Sequence, residues 1–183
     1  VSGGIGLISS KINVEGPIQK GKSSFLLGAR RTYADAIARL SGVEDAQNAY
    51  LYFYDLNMKL YFALSDRDQL SVSGYLGRDK MVLKDVADMG WGNAFLNAKW
   101  TRTMSPKWFS TTSLQYSRYS YSAEMNMGMD MNGDANINDY GFRQEFKYQT
   151  TPNSTWRMGV QSTYHDLAPG DFVNESDIKS TLN

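Results

Sequence analysis

One row of residues constrains this chain more than any other. From Tyr50 to Phe62 every second position is apolar or aromatic: Tyr50, Tyr52, Tyr54, Leu56, Met58, Leu60 and Phe62. Between them stand Leu51, Phe53, Asp55, Asn57, Lys59 and Tyr61. Successive side chains leave a strand on opposite sides, so this spacing predicts an extended strand with one greasy and one mixed, charged face. The plan returns from Asp139 to His165. Tyr140, Phe142, Phe146 and Tyr148 alternate with Gly141, Arg143, Glu145, Lys147 and Gln149, and only Gln144 breaks the apolar row. After Thr151-Pro152-Asn153-Ser154, residues that set turn dihedrals, Trp156, Met158, Val160 and Tyr164 oppose Arg157, Gln161, Thr163 and His165. That is a β-hairpin.

Weaker copies fill the rest. Ser10–Ile18 alternates, a turn at Gln19-Lys20-Gly21-Lys22 follows, and Phe25, Leu27 and Ala29 begin the next strand. Ala34–Leu40 reads as two helical turns, with Gly42 as a stop. Ser65-Asp66-Arg67-Asp68 turns the chain after Phe62, and Leu70, Val72, Gly74 and Leu76 form a face opposite Ser71, Ser73 and Tyr75. Residues 79–90 read as a loop. Ala94, Leu96, Ala98 and Trp100 follow, then a turn at Met104-Ser105-Pro106-Lys107, then Leu114 and Tyr116. Near Arg118 the apolar row changes parity to Tyr119 and Tyr121, which predicts a β-bulge. Residues 123–138 read as a polar loop, and no clear strand follows 166. About nine strands result.

The four short connections, at 19–22, 65–68, 104–107 and 151–154, alternate with long ones at 34–49, 79–90, 123–138 and after 166. Antiparallel strands then carry the short turns at one end and the long loops at the other. Aromatic residues gather at both ends: Phe25, Phe62, Trp100, Trp108, Tyr148 and Trp156 by the short turns, Tyr33, Tyr50, Tyr52, Trp91, Tyr121, Tyr140 and Tyr164 by the long loops. These features together predict an antiparallel transmembrane β-barrel wall with short periplasmic turns, long extracellular loops and aromatic girdles contacting outer-membrane lipid. A soluble sandwich or lipocalin-like barrel also alternates. Against it, the second face carries Arg30, Asp55, Lys59, Lys99, Arg143, Glu145 and Arg157, which suit a watered lumen better than a second packed layer. Composition agrees: aromatics are 13%, led by 12 Tyr, in a chain whose mean hydropathy is only −0.46.

Several classes drop out. Nineteen basic residues balance nineteen acidic ones, so no net field draws nucleic acid. Cysteine is absent, which removes thiolate catalysis and zinc–cysteine sites. No apolar run approaches the roughly 20 residues of a membrane helix. A leader peptide, if one exists, is expected outside these residues. His165 is the lone histidine, and neither a nucleophile elbow nor a phosphate loop occurs, so no catalysis and no cofactor are predicted.

The segments 16–40 (GPIQKGKSSFLLGARRTYADAIARL), 52–79 (YFYDLNMKLYFALSDRDQLSVSGYLGRD), the MGWGN of 89–93 and the STYHDLAPG of 162–170 closely resemble the TonB-dependent receptors of Bacteroidetes-type bacteria. Arg30-Arg31-Thr32-Tyr33 and Tyr54-Asp55-Leu56-Asn57 carry the resemblance most directly. It implies the first part of a 22-stranded barrel, after a plug domain, importing a nutrient through the outer membrane. Implied partners are TonB, acting through the plug, and a SusD-like surface lipoprotein or other outer-membrane subunits. The chain shows no plug and no TonB box. An odd number of strands, ending in Ser180-Thr181-Leu182-Asn183, is expected to belong to a longer polypeptide. Two other functions fit the same residues: a transporter-derived barrel acting as a scaffold subunit without import, and a soluble carbohydrate-binding β-domain.

Three local features are weighed against that frame. The mixed charges of the second face hydrate a lumen and pair across strands, or a few of them, such as Arg143, Glu145 and Arg157, contact plug or substrate. Asp130, Asn132 and Asp134 begin a run with oxygen ligands at alternate positions, as in a calcium loop. Ala135 and Gly141, however, stand where an EF-hand wants Gly and an acidic residue, which favours a polar surface loop. Met125, Met127, Met129 and Met131 could ligate a soft metal, but such a run more often forms an adaptable contact surface.

Overall fold

The computed structural model describes residues 1–33, 49–126, 130–170 and 173–174. They form one antiparallel sheet: β1 (Ser2–Ile5), β2 (Ser9–Gln19), β3 (Ser23–Thr32), β4 (Ala49–Ala63), β5 (Asp68–Leu83), β6 (Ala87–Ser105), β7 (Trp108–Asn126), β8 (Asp130–Thr151), β9 (Ser154–Ala168) and a two-residue β10 (Val173–Asn174). Strands pair in chain order from β1 to β8, a pure meander. The far edge of β8 is shared: β9 takes Asn136–Thr151 and β10 takes Met131 and Asn132. The sheet does not close. β1 ends it on one side and β9 on the other.

Three of the four short turns have a local cause in the described contacts. Gly21 supplies the positive φ of 74° that the Gln19–Lys22 turn needs, and Lys22 donates its backbone N–H to the Gln19 carbonyl. The Ser65 hydroxyl oxygen accepts from the Arg67 and Asp68 amides at 3.2 and 3.0 Å. Ser105 does the same for Lys107 and Trp108.

Three sequence expectations are corrected. Residues 79–90 are not a loop: β5 runs on to Leu83, and β6 starts at Ala87 after a tight turn with Asp85 at φ 62°. Residues 123–138 are mostly strand, with β7 reaching Asn126 and β8 starting at Asp130. No bulge occurs at Arg118, where the β6–β7 and β7–β8 ladders run without a shift; the irregularities lie by the short turns, at Pro17/Gln19, Thr103/Ser105 and Gln149/Thr151. The strict alternation of short turns with long loops therefore fails: a tight turn joins β5 to β6, and β7 stays paired with β8 as far as Asn126 opposite Asp130. The predicted helix at 34–40 lies outside the described residues.

No conventional core exists among the described residues. Ala123, 1% exposed, is the one buried hydrophobic side chain, and no large side chain is fully buried. A soluble domain of this size buries most of its large apolar groups. Here they stand in a single layer.

Candidate functional site

The register fixes which residues share a face. Directly paired residues in an antiparallel ladder project to the same side. Along one rung the row of Tyr50–Phe62 continues from Phe62 through Leu70, Trp100, Thr112, Gln144 and Val160. The Met58 rung runs through Gly74, Leu96, Tyr116, Tyr140 and Tyr164. The girdle residues Tyr50, Tyr52, Phe62, Trp100, Trp108, Tyr140, Tyr148, Trp156 and Tyr164 all fall on this apolar face. Trp91 and Tyr121 do not. They pair with each other and, through Asp79, align with Phe53 on the opposite side, so their expected place in the girdle is corrected.

Aromatic residues bound the apolar face at a constant interval. Tyr54 and Phe62 on β4, Trp108 and Tyr116 on β7, Tyr140 and Tyr148 on β8, and Trp156 and Tyr164 on β9 are each eight positions apart. Rings in adjacent strands touch. Tyr116 and Tyr140 have centroids 5.2 Å apart, Tyr140 and Tyr164 6.3 Å, and Trp108 and Tyr148 4.6 Å. Trp100 donates its indole N–H to Asp68 at 3.0 Å, while Arg102 lies 5.9 Å from its ring. That rim is therefore apolar on one side and polar on the other. Between β4 and β7–β9 the two aromatic rows drop by four residues relative to the rungs, since Tyr164 lies on the rung of Met58 and Val160 on that of Phe62. From β7 to β9 both rows keep to single rungs.

The expected lumen residues gather on the other face. Arg30 meets Asp55 at 2.7 Å and stacks 5.1 Å from the Phe53 ring. Arg143 bonds Glu145 at 2.9 Å, two residues along the same strand. Arg157 lies opposite Lys147 and joins no ion pair among the described residues, so the expected Arg143–Glu145–Arg157 network reduces to its first two members. Lys59 and Lys99 flank Ser73 and Ser71 across the ladder and also lack a described ion-pair partner. On the same face Ser117 and His165 both reach Asp139, at 3.2 and 2.6 Å, one residue beyond the Tyr140–Tyr164 row. The His165 ring and the Ser117 hydroxyl hold the Asp139 carboxyl below its usual range. Asp139 lies between Ser117 and His165, so no serine–histidine relay forms.

Beyond the second aromatic row the two faces exchange character on β5 to β8, while β4 keeps Tyr50 and Tyr52 on the first face, opposite Val82 and Lys80. The formerly apolar side presents Arg78, Lys80, Asp88, Gly90, Gly92, Arg118, Ser120, Ser122, Glu124, Asp134, Asn136 and Asn138. The formerly charged side presents Met81, Met89, Trp91, Tyr119, Tyr121, Ala123 and Ile137. Sequence reasoning missed this exchange. The parity change near Arg118 was its signal: polarity moved to the other face while the backbone register stayed put. Lys80 bonds Asp88 at 2.9 Å, and that contact raises its pKa.

The calcium-loop candidate takes a different shape from the one expected. Asp130, Asn132 and Asp134 are alternate residues of a straight ladder, Asn132 opposite Glu124 and Asp134 opposite Ser122. Alternate strand residues stand roughly 7 Å apart, which does not wrap an ion. No cluster of three His, Cys, Asp or Glu side chains that could hold a metal occurs among the described residues. Met127 and Met129 lie outside them.

No family model matches the chain, and no curated protein matches it.

Proposed function

We propose that this sheet is part of the wall of an outer-membrane β-barrel of the TonB-dependent transporter type, taking part in import of a nutrient. One observation carries the reading: a single-layer apolar face, uncovered by protein among the described residues, bounded on four strands by aromatic residues eight positions apart. Eight residues of strand span about 27 Å, which at a tilt of about 40° gives a band roughly 21 Å tall. Transmembrane barrels carry a band of about 25 Å between aromatic girdles. The mixed charges of the opposite face suit a watered lumen, and the face exchange beyond the girdle suits hairpins that rise out of a bilayer. In its favour over a soluble carbohydrate-binding domain, the described strands lie in one layer.

Fluorescence quenching by brominated lipids tests this reading on the full-length protein. Trp100, Trp108 and Trp156 are expected to be quenched by bromine placed near the headgroups. Trp91, retained alone by replacing the other three with Phe, is expected to be indifferent to it. Quenching of none of the first three removes the membrane assignment.

A further inference from the structure

On the face that carries Arg30, Asp55 and Arg143, past the second aromatic row, methionines from two hairpins come together. Met81 on β5 and Met89 on β6 are direct partners in the ladder, and Met125 on β7 stands one rung further out, opposite Ala87. The backbone of Met131 on β8 lies opposite Met125. The sequence shows Met125 and Met131 within one run but gives no sign that Met81 and Met89, from the preceding hairpin, share their face.

One small residue reports how these side chains lie. Ala123 pairs with Met89 and precedes Met125 by two positions, and it is 1% exposed in a sheet one layer thick. Ala98, between Val72 and Leu114 in the same sheet, stays partly exposed. The nearest neighbours of Ala123 on its face are Met89, Gly133, Tyr121 and Met125. Gly133 is too small to cover it, so the cover comes from two thioether chains and a phenol ring. Met81, Met89 and Met125 are all partly buried. A loose apolar contact surface would hold its methionines outward, as Met104 and Met158 are held, 53% and 54% exposed.

We propose that Met81, Met89 and Met125 bind a soft monovalent cation of the Cu(I) type. Thioether sulfur is a neutral, polarizable donor that selects such ions, whereas hard or borderline ions want carboxylate or imidazole. Two neighbours favour a single positive charge. Trp91, two residues along from Met89, offers an indole ring to a cation. Asp79, paired with Trp91 on the same face, is a carboxylate one rung away, while Lys80, Asp88 and Glu124 project to the other side. The site stands on register and burial alone, so it holds or fails separately from the tryptophan quenching that tests the membrane reading.

The test titrates the full-length protein in chloride-free detergent buffer with Ag(I), a redox-inert ion of the same charge and softness, and with Zn(II), by isothermal calorimetry. Losing a group that merely orients a metal ligand costs about 10- to 100-fold in affinity, so M81L, M89L and M125L are each expected to weaken Ag(I) binding by at least that factor. Leucine keeps bulk and apolar character, and M104L/M158L is expected to bind as the parent does. Four results overturn the site: unchanged affinity in all three single variants, an equal loss in M104L/M158L, Zn(II) bound as tightly as Ag(I), or loss of Ag(I) binding at about pH 5, where imidazole takes up a proton and thioethers do not.

Discussion

At the scale of single residues, backbone proximity matters more than charge. A Cβ added at Gly159 would lie 2.5 Å from the Gln144 carbonyl oxygen and 3.3 Å from the Glu145 Cα, atoms of the neighbouring strand that cannot swing aside. Gly159→Ala should therefore cost about 1–3 kcal/mol, measurable as a lowered midpoint of urea unfolding in detergent. By contrast Asp55→Asn should cost about 1 kcal/mol or less, because Arg30 is 51% exposed and water screens its end of the pair, although Asp55 is only 13% exposed. The Asp139 carboxyl offers a pH signature. Its pKa is lowered chiefly by the hydrogen bond from His165, so its stabilising contribution is present above the ordinary value of 3.8 and fades as pH falls through the lowered one. In His165→Gln the Asp139 titration should move up toward that ordinary value, as read by carbon NMR of labelled aspartate. An unmoved titration would assign the shift to another group.

At the scale of strands, the pattern of sequence was legible where one face stayed greasy from end to end. The Asp139–His165 hairpin was read with its turn in place, and the structure adds its register, Asp139 opposite His165. The Tyr50–Phe62 row fell within β4, and all seven charged residues assigned to the second face occupy it. What was illegible lies past Leu76 on β5, Ala94 on β6 and Tyr116 on β7. There alternation persists with its sense reversed, and Gly90, Gly92, Ser120 and Ser122 flatten its amplitude. A search for one continuous apolar row ends there and reports a loop. The membrane reading makes a strand-level prediction from two neighbours on β7. Leu114 lies between Trp108 and Tyr116 on the apolar face, and Gln115 projects to the other side. Leu114→Arg should destabilise the folded barrel by about 2–4 kcal/mol in lipid, and Gln115→Arg by far less. Equal costs would mean that hydrocarbon does not meet the Leu114 face.

At the scale of the whole molecule, the sheet has two unsatisfied boundaries, β1 with β2 on one side and β9 on the other. Every residue of β9 is exposed, and among the described residues its outer edge pairs with no strand, leaving a row of backbone groups open. Residues 1–183 expressed alone in detergent-free buffer should therefore form large assemblies and give no monodisperse monomer by sedimentation velocity. A clean monomer would favour the soluble carbohydrate-binding domain.

The exchange of polarity between the faces has a mechanical corollary on the membrane reading. Pushing the wall inward by one residue pair of the pleat would drag Arg78 and Arg118 among acyl tails; lifting it outward would strand Tyr140 and Tyr164 in the aqueous space above. Both directions are uphill, so the wall would ride at a fixed waterline, and any gating by this protein would have to come from parts that move within it rather than from the wall bobbing in the bilayer.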